Sequence, residues 1–149
     1  MIWTPRTTVA AIIERDRQFL LVEELAHGQR VLNQPAGHLE DGEGLIQAVM
    51  REVREETCLA FKPQGLVGIY RYRIPQGADA GLTYLRYCFF GTASALDPAP
   101  ARDPDILDLI WLERAELARR VLRSPLVLRC IDDYRAGQRH SLELLHEPD

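Results

Sequence analysis

The chain has 149 residues, 46% of them apolar, with three cysteines and a formal net charge of −4. That apolar content fills one core without disulfides or a structural metal, and the scattered charges, with no long basic run, exclude the electrostatic footprint of a nucleic-acid binder. No stretch approaches the ~20 apolar residues of a membrane span, and "MIWTPRTTVA" lacks the build of a secretory signal. Cys58, Cys88 and Cys130 are widely spaced and form no CxxC pair, which argues against a disulfide framework or a zinc site. The expectation is one domain over residues 1–149 in a reducing cytoplasm, without nucleic-acid or membrane partners.

In chain order, "TTVAAIIE" and "QFLLVEE" are short apolar or β-branched runs flanking the polar "RDRQ", which predicts a hairpin. "HGQRVLNQPAG" gives a brief strand running into a Pro/Gly loop. From about Glu43 to Thr57 the period turns helical, with Ile46, Val49, Met50 and Val53 on one stripe and Asp41 or Gly42 available as the cap. "GLVGIYRYRIP" and "LTYLRYCFFGTA" alternate around the Gly-rich "QGADAG", a second hairpin. After the loop "LDPAPARDPD", "ILDLIWLE" reads as a strand and "RAELARRVL" as an amphipathic helix. "SPLVLRCIDDYRAG" reads as a last helix, with Ser124 as N-cap, Pro125 at its first position and Gly137 just past its end. Strands and helices thus alternate unevenly, as in a mixed sheet flanked by helices.

The chemistry concentrates in "MREVREETCL". At about 100° of rotation per residue, Glu52, Glu55 and Glu56 fall within one arc beside the apolar stripe. Like charges three or four apart repel, so something should neutralise them: either solvent with Arg51 and Arg54 as partners, or a hard divalent cation, which prefers oxygen ligands and shares them with substrate phosphates. The preceding "QPAGHLEDGE" favours the cation, because a glycine there lets backbone carbonyls approach a metal or phosphate.

Gly37, "HLEDG", Glu43, "GLIQAVM", Arg51, Glu52, Val53, Arg54, Glu55, Glu56, Thr57, Cys58, Leu59 resembles the Nudix box. Cys58 stands where the family has the glycine that closes the helix in a left-handed backbone. "FLLVEE", "NQPAGHLE", "LRY" and "RSPLVLRCIDDYRAGQRHSLELL" further resemble the NudJ-type Nudix phosphatases, with Leu32 where that subgroup is expected to carry Trp. The resemblance implies an α/β fold, the α/β/α sandwich with a mixed sheet, and magnesium-dependent hydrolysis with manganese as a substitute. It implies nucleoside tri- and diphosphates, the pyrimidine pyrophosphate of thiamine biosynthesis and thiamine pyrophosphate as substrates, with release of inorganic phosphate by a monomer or homodimer. The alternatives are a Nudix enzyme acting on another nucleoside diphosphate derivative such as ADP-ribose, or a non-catalytic nucleotide-sensing domain.

The same resemblance gives roles. Glu52, Glu55 and Glu56, with the carbonyl near Gly37, would hold the metal, Arg51 would fix the carboxylates, and Glu43 would support the loop. Glu52 is the first choice of general base. Asp103 or Asp105 is the second, against a reading of both as solvated turn residues beside Pro104. For substrate contacts, Arg86 among apolar strand neighbours is expected to meet a phosphate or an internal carboxylate. Asn33 and Gln34 meet a base or sugar or cap a strand end, and one of Glu23 and Glu24 faces inward. His38 reads as a solvated loop residue, and Tyr70, Tyr72, Tyr84 and Tyr87 as either stacking platforms or cross-strand packing.

Overall fold

The computed structural model of the chain describes residues 1–148. Its first two strands, β1 (Arg6–Arg15) and β2 (Gln18–Ala26), form the expected hairpin, with Asp16 and Arg17 at φ 51° and 67° in the turn. Only Glu14–Phe19 and Arg15–Gln18 stay in register between them, because the rest of β1 belongs to a different sheet. There it pairs antiparallel with β4 (Ala36–His38) on one edge and in parallel with β6 (Thr83–Ala95) on the other. β6 pairs in turn with β5 (Leu59–Arg73) as the second hairpin. β2 runs between β3 (Gln29–Asn33) and β7 (Asp108–Glu113), antiparallel to both.

A strand covered on both faces needs apolar side chains at every position. That explains the unbroken burial from Val9 to Ile13. Ala10 and Ile12 join Phe19, Leu32, Val127 and Ile131 beneath α3 (Leu126–Arg135), while Val9, Ala11 and Ile13 join Ala48, Val49 and Val53 of α1 (Leu45–Thr57). The result is the expected α/β/α sandwich around a mixed sheet. Leu32, 2% exposed, is a core residue with no surface to offer a stacking ligand.

The helix ends differ in detail from expectation. α1 is capped by Gly44 instead of Asp41 or Gly42, and the Gly44 N–H donates to Gln47 Oε1 at 3.0 Å. It closes at Cys58, left-handed at φ 61°, whose N–H donates to Arg54 O at 2.9 Å. In α3, Pro125 takes the capping position, and Ser124 Oγ accepts from the Leu126 N–H at 3.2 Å; Gly137 follows the helix at φ 92°.

"RAELARRVL" is the larger correction. Only α2 (Arg114–Leu117) is helical, because the next residues are captured by the free edge of β3: Leu32 N donates to Val121 O at 3.0 Å, and Arg123 N to Leu32 O at 2.8 Å. The apolar spacing was helical, but two strand-like hydrogen bonds to a distant residue outweigh the propensity of so short a segment.

Candidate active site

Arg51 is the hub of α1's charged face. Its Nε and Nη2 donate to the two oxygens of Glu43 at 2.6 and 2.9 Å, its Nη1 to Glu52 Oε1 at 2.8 Å and Glu55 Oε2 at 3.2 Å, and Nη2 also to the His38 carbonyl at 3.0 Å. Glu40 stands 3.6 Å away. Such a fork-to-carboxylate arrangement fixes both direction and distance. It holds the Glu43 carboxyl below the usual carboxylate range and raises the Arg51 guanidinium still further above its own. Glu43 thereby ties the loop before α1 to the helix.

The three glutamates of the arc point to three surroundings. Glu52 lies against Gly37: a methyl group built on Gly37 would overlap its carboxylate, so only glycine leaves the carboxylate that seat. Burial raises its pKa, and the Arg51 hydrogen bond opposes the rise. Glu56, 7% exposed, accepts from the Ala36 N–H at 2.8 Å. Burial pushes its carboxyl up to about 9, with Glu52, Glu24 and Asp103 adding repulsion. Glu55 is half exposed and leans toward Arg51.

Among the described residues no three His, Cys, Asp or Glu side chains already stand as a closed metal shell, because Arg51 draws Glu52 and Glu55 toward itself. The donor set nonetheless fits a hard cation. It is all oxygen, Glu52 and Glu56 meet the backbone of neighbouring Gly37 and Ala36, and at Glu56 it is a buried carboxyl among other carboxylates with no cationic side chain within 4 Å. Burying a carboxylate that way is unfavourable until positive charge arrives.

On the other side of the Ala36–His38 strand lies a cavity of about 600 Å³. Arg86, 6% exposed, sits in its floor; Nη1 donates to Gln34 Oε1 at 2.8 Å and Nη2 to Asn33 Oδ1 at 3.0 Å. Gln34 is packed behind and donates through Nε2 to Val127 O at 2.7 Å, so it meets Arg86 and α3 rather than a base or sugar. Glu24 lines the cavity and accepts from Arg123 Nη1 at 2.8 Å. Glu23 does not reach it and instead pairs with Arg30 at 3.0 Å and Arg120 at 3.9 Å.

Asp103 is tied to α1 through its N–H, which donates to Glu55 O at 2.8 Å, and its Oδ1 accepts from the Asp105 N–H at 2.9 Å. Its charge bears on Glu56, whereas Asp105 is an exposed turn residue; neither lines the cavity. His38 is exposed yet does line it, near Tyr84, with its pKa lowered by partial burial and by Arg6 and Arg123.

Of the tyrosines, Tyr72 and Tyr84 line the cavity. Tyr70 donates to Asp133 Oδ2 at 2.8 Å, and Tyr87 packs toward α1. Sequence reasoning missed Arg123 and Thr8 as lining residues. Thr8 had no local signal, since its place comes from the parallel pairing of β1 with β6, where it faces Arg86. Tyr84 did have one: it stands two residues from Arg86 on the same strand and so shares its face.

Compared with known proteins, residues 4–129 match the NUDIX domain. Phosphatase NudJ of Escherichia coli (strain K12) is 36% identical over 142 residues, covering 95% of this chain and 90% of that protein, and Phosphatase NudJ of Shigella sonnei (strain Ss046) matches to the same extent. Among solved structures, a NUDIX hydrolase from Nitrosomonas europaea is 45% identical with a TM-score of 0.90, over 97% of this chain and 98% of that one. A MutT NUDIX hydrolase from Burkholderia pseudomallei, 21% identical with a TM-score of 0.72 over 88% and 98%, is alike in fold alone.

Proposed function

We propose, for a chain that belongs to the Nudix family and is a hydrolase of pyrophosphate bonds, a magnesium-dependent phosphatase of nucleoside tri- and diphosphates and of thiamine-type pyrophosphates, releasing inorganic phosphate. Manganese would substitute for magnesium. One observation carries the reading: Glu56 is a buried carboxyl short of positive charge, bonded to the Ala36 N–H, and Ala36 in turn lines a polar cavity large enough for a small organic phosphate. The match to Phosphatase NudJ along 95% of the chain supports the choice of a phosphatase reaction. The enzyme works as a single domain, monomeric or dimeric, and three unpaired cysteines suit a reducing cytoplasm. No helix among the described residues is long and apolar enough to cross a membrane.

Phosphoanhydride hydrolysis is in-line attack by water, governed by positioning and charge. Glu52, Glu55, Glu56 and the Gly37 carbonyl would hold the divalent cation. When bound, that cation draws charge from phosphoryl oxygens and acidifies water. Arg51 keeps Glu52 in place through Oε1, which leaves Oε2 to take the proton of the attacking water. Asp103, bound to α1 by its backbone, is the second choice of base. The organic part of the substrate lies in the cavity between Tyr84, Tyr72 and the N-terminal end of α3.

The test is product analysis with magnesium on CTP, CDP, thiamine pyrophosphate and ADP-ribose, with Glu52→Gln as control. Inorganic phosphate from the first three, reduced about a hundredfold or more in the variant, is the expected result. Cleavage of ADP-ribose alone would overturn the substrate class, and no cleavage of any would overturn the enzyme reading.

A further inference from the structure

Arg86 is the one described arginine that is both buried and without a carboxylate within 4 Å. The arginines in ion pairs, Arg30, Arg51, Arg114, Arg120, Arg123 and Arg129, are all more exposed. Its guanidinium is gripped instead by two amide oxygens, Gln34 Oε1 and Asn33 Oδ1. Amide oxygens orient a guanidinium as well as carboxylates do, but they leave its charge intact. Desolvating a cation with nothing to neutralise it is unfavourable, and here the uncompensated charge faces an open cavity. The N-terminal end of α3, at Ser124 and Leu126, borders the same space and adds the positive end of a helix dipole.

We infer that Arg86, with Asn33 and Gln34 as its positioning residues, forms an anion subsite for a phosphoryl group in the cavity floor, separate from the carboxylate face of α1. That the group belongs to the substrate rests on the proposed phosphatase reading. The subsite then holds a phosphoryl group of the substrate other than the one under attack. Asn33 and Gln34 are amides in this role because a carboxylate at either place would occupy the charge meant for the ligand.

Asn33→Asp tests this directly, since it keeps the shape of the cradle and supplies the missing negative charge. The measurement is the melting temperature of the free protein in EDTA, titrated with inorganic phosphate, pyrophosphate or CMP, for wild type, Asn33→Asp and Arg86→Lys. The wild type should be stabilised saturably by at least one of them. Asn33→Asp should melt higher without ligand and need about tenfold to a hundredfold more of it, and Arg86→Lys should retain part of the affinity. A purely structural Arg86 predicts that Asn33→Asp binds as wild type does, and that result would overturn the subsite.

A flat wild-type titration overturns it as well. If Asn33→Asp fails to fold, Arg86→Lys against Arg86→Gln decides, the first keeping part of the response and the second none. Equal responses from these two would again overturn the subsite. Because the titration needs neither metal nor turnover, a positive titration beside a failed product assay would remove the phosphatase reading and leave the anion site standing.

Discussion

Arg51 and Arg86 are both held largely out of water on the same small sandwich, yet they have opposite surroundings. Arg51 is enclosed by Glu43, Glu52, Glu55 and Glu40; Arg86 donates to the amide oxygens of Asn33 and Gln34, with the Cys130 thiol beside it and no carboxylate within 4 Å. The first cation is consumed by the protein itself, holding carboxylates that would otherwise repel one another. The second is oriented and left charged. Two arginines therefore divide between holding the molecule together and waiting for something outside it, and the more buried of them is the one without a carboxylate.

Removing each side chain breaks the comparison open. Arg51→Met leaves Glu43 and Glu52 partly buried without their counter-charge, and a loss of about 3 kcal/mol in unfolding free energy is expected. Arg86→Met removes an uncompensated buried charge, while water from the adjoining cavity can reach the freed amide oxygens, so its cost should stay within about 1 kcal/mol. Urea denaturation of the two variants in EDTA measures both. Equal losses would mean that Arg86 is as much a structural cation as Arg51.

Glu56 belongs with Arg86 in this division, as a buried ionisable group to which the chain gives no counter-charge. Its folded-state pKa of about 9 lies above the ordinary 4.5, so between those values the folded protein keeps a proton that the unfolded chain releases. The sign follows: the contribution is fully present below about pH 4.5 and is lost as pH rises toward 9. Metal-free protein should lose about 1 kcal/mol of stability per pH unit between pH 5 and 8 from this group, a slope that Glu56→Gln removes. Unfolding curves in EDTA at several pH values would show it, and a wild-type slope unchanged by Glu56→Gln would mean that Glu56 is already compensated. Magnesium should flatten the slope in wild type alone.

How much of this was legible beforehand depended on the sequence distance of the partners. The hub on Arg51 was expected from the resemblance to the Nudix box, whose register sets Glu43, Glu52 and Glu55 within about two turns of it. The role of Arg86 was half visible: a charge among apolar strand neighbours had to meet something, but whether that was a carboxylate or an amide depended on β3, which reaches it only in the folded sheet. Glu23 and Glu24 could not be told apart until β3 and the segment at Arg123 were in place. The helix expected after Arg114 failed for the same reason, since the edge of β3 that stops it is some eighty residues away in sequence.

The smallest effect concerns how α1, and with it the carboxylate face, is closed. Cys58 sits in the left-handed region at φ 61° where glycine is free of strain, and its thiol donates to Pro100 O at 3.1 Å, a contact to the loop that also carries Asp103. Cys58→Gly relieves about 1 kcal/mol of backbone strain but frees the unfolded chain and gives up the thiol contact, so the net change expected in unfolding free energy is within about 0.5 kcal/mol of zero. Phosphate affinity at Arg86, on the far side of β4, should not change, whereas turnover should respond if the Pro100 loop helps to place Asp103. A substitution that raised stability and left both readouts untouched would separate the helix closure from the site. One that lowered turnover while sparing phosphate binding would assign the loop to the carboxylate side of the molecule and strengthen Asp103 as the base.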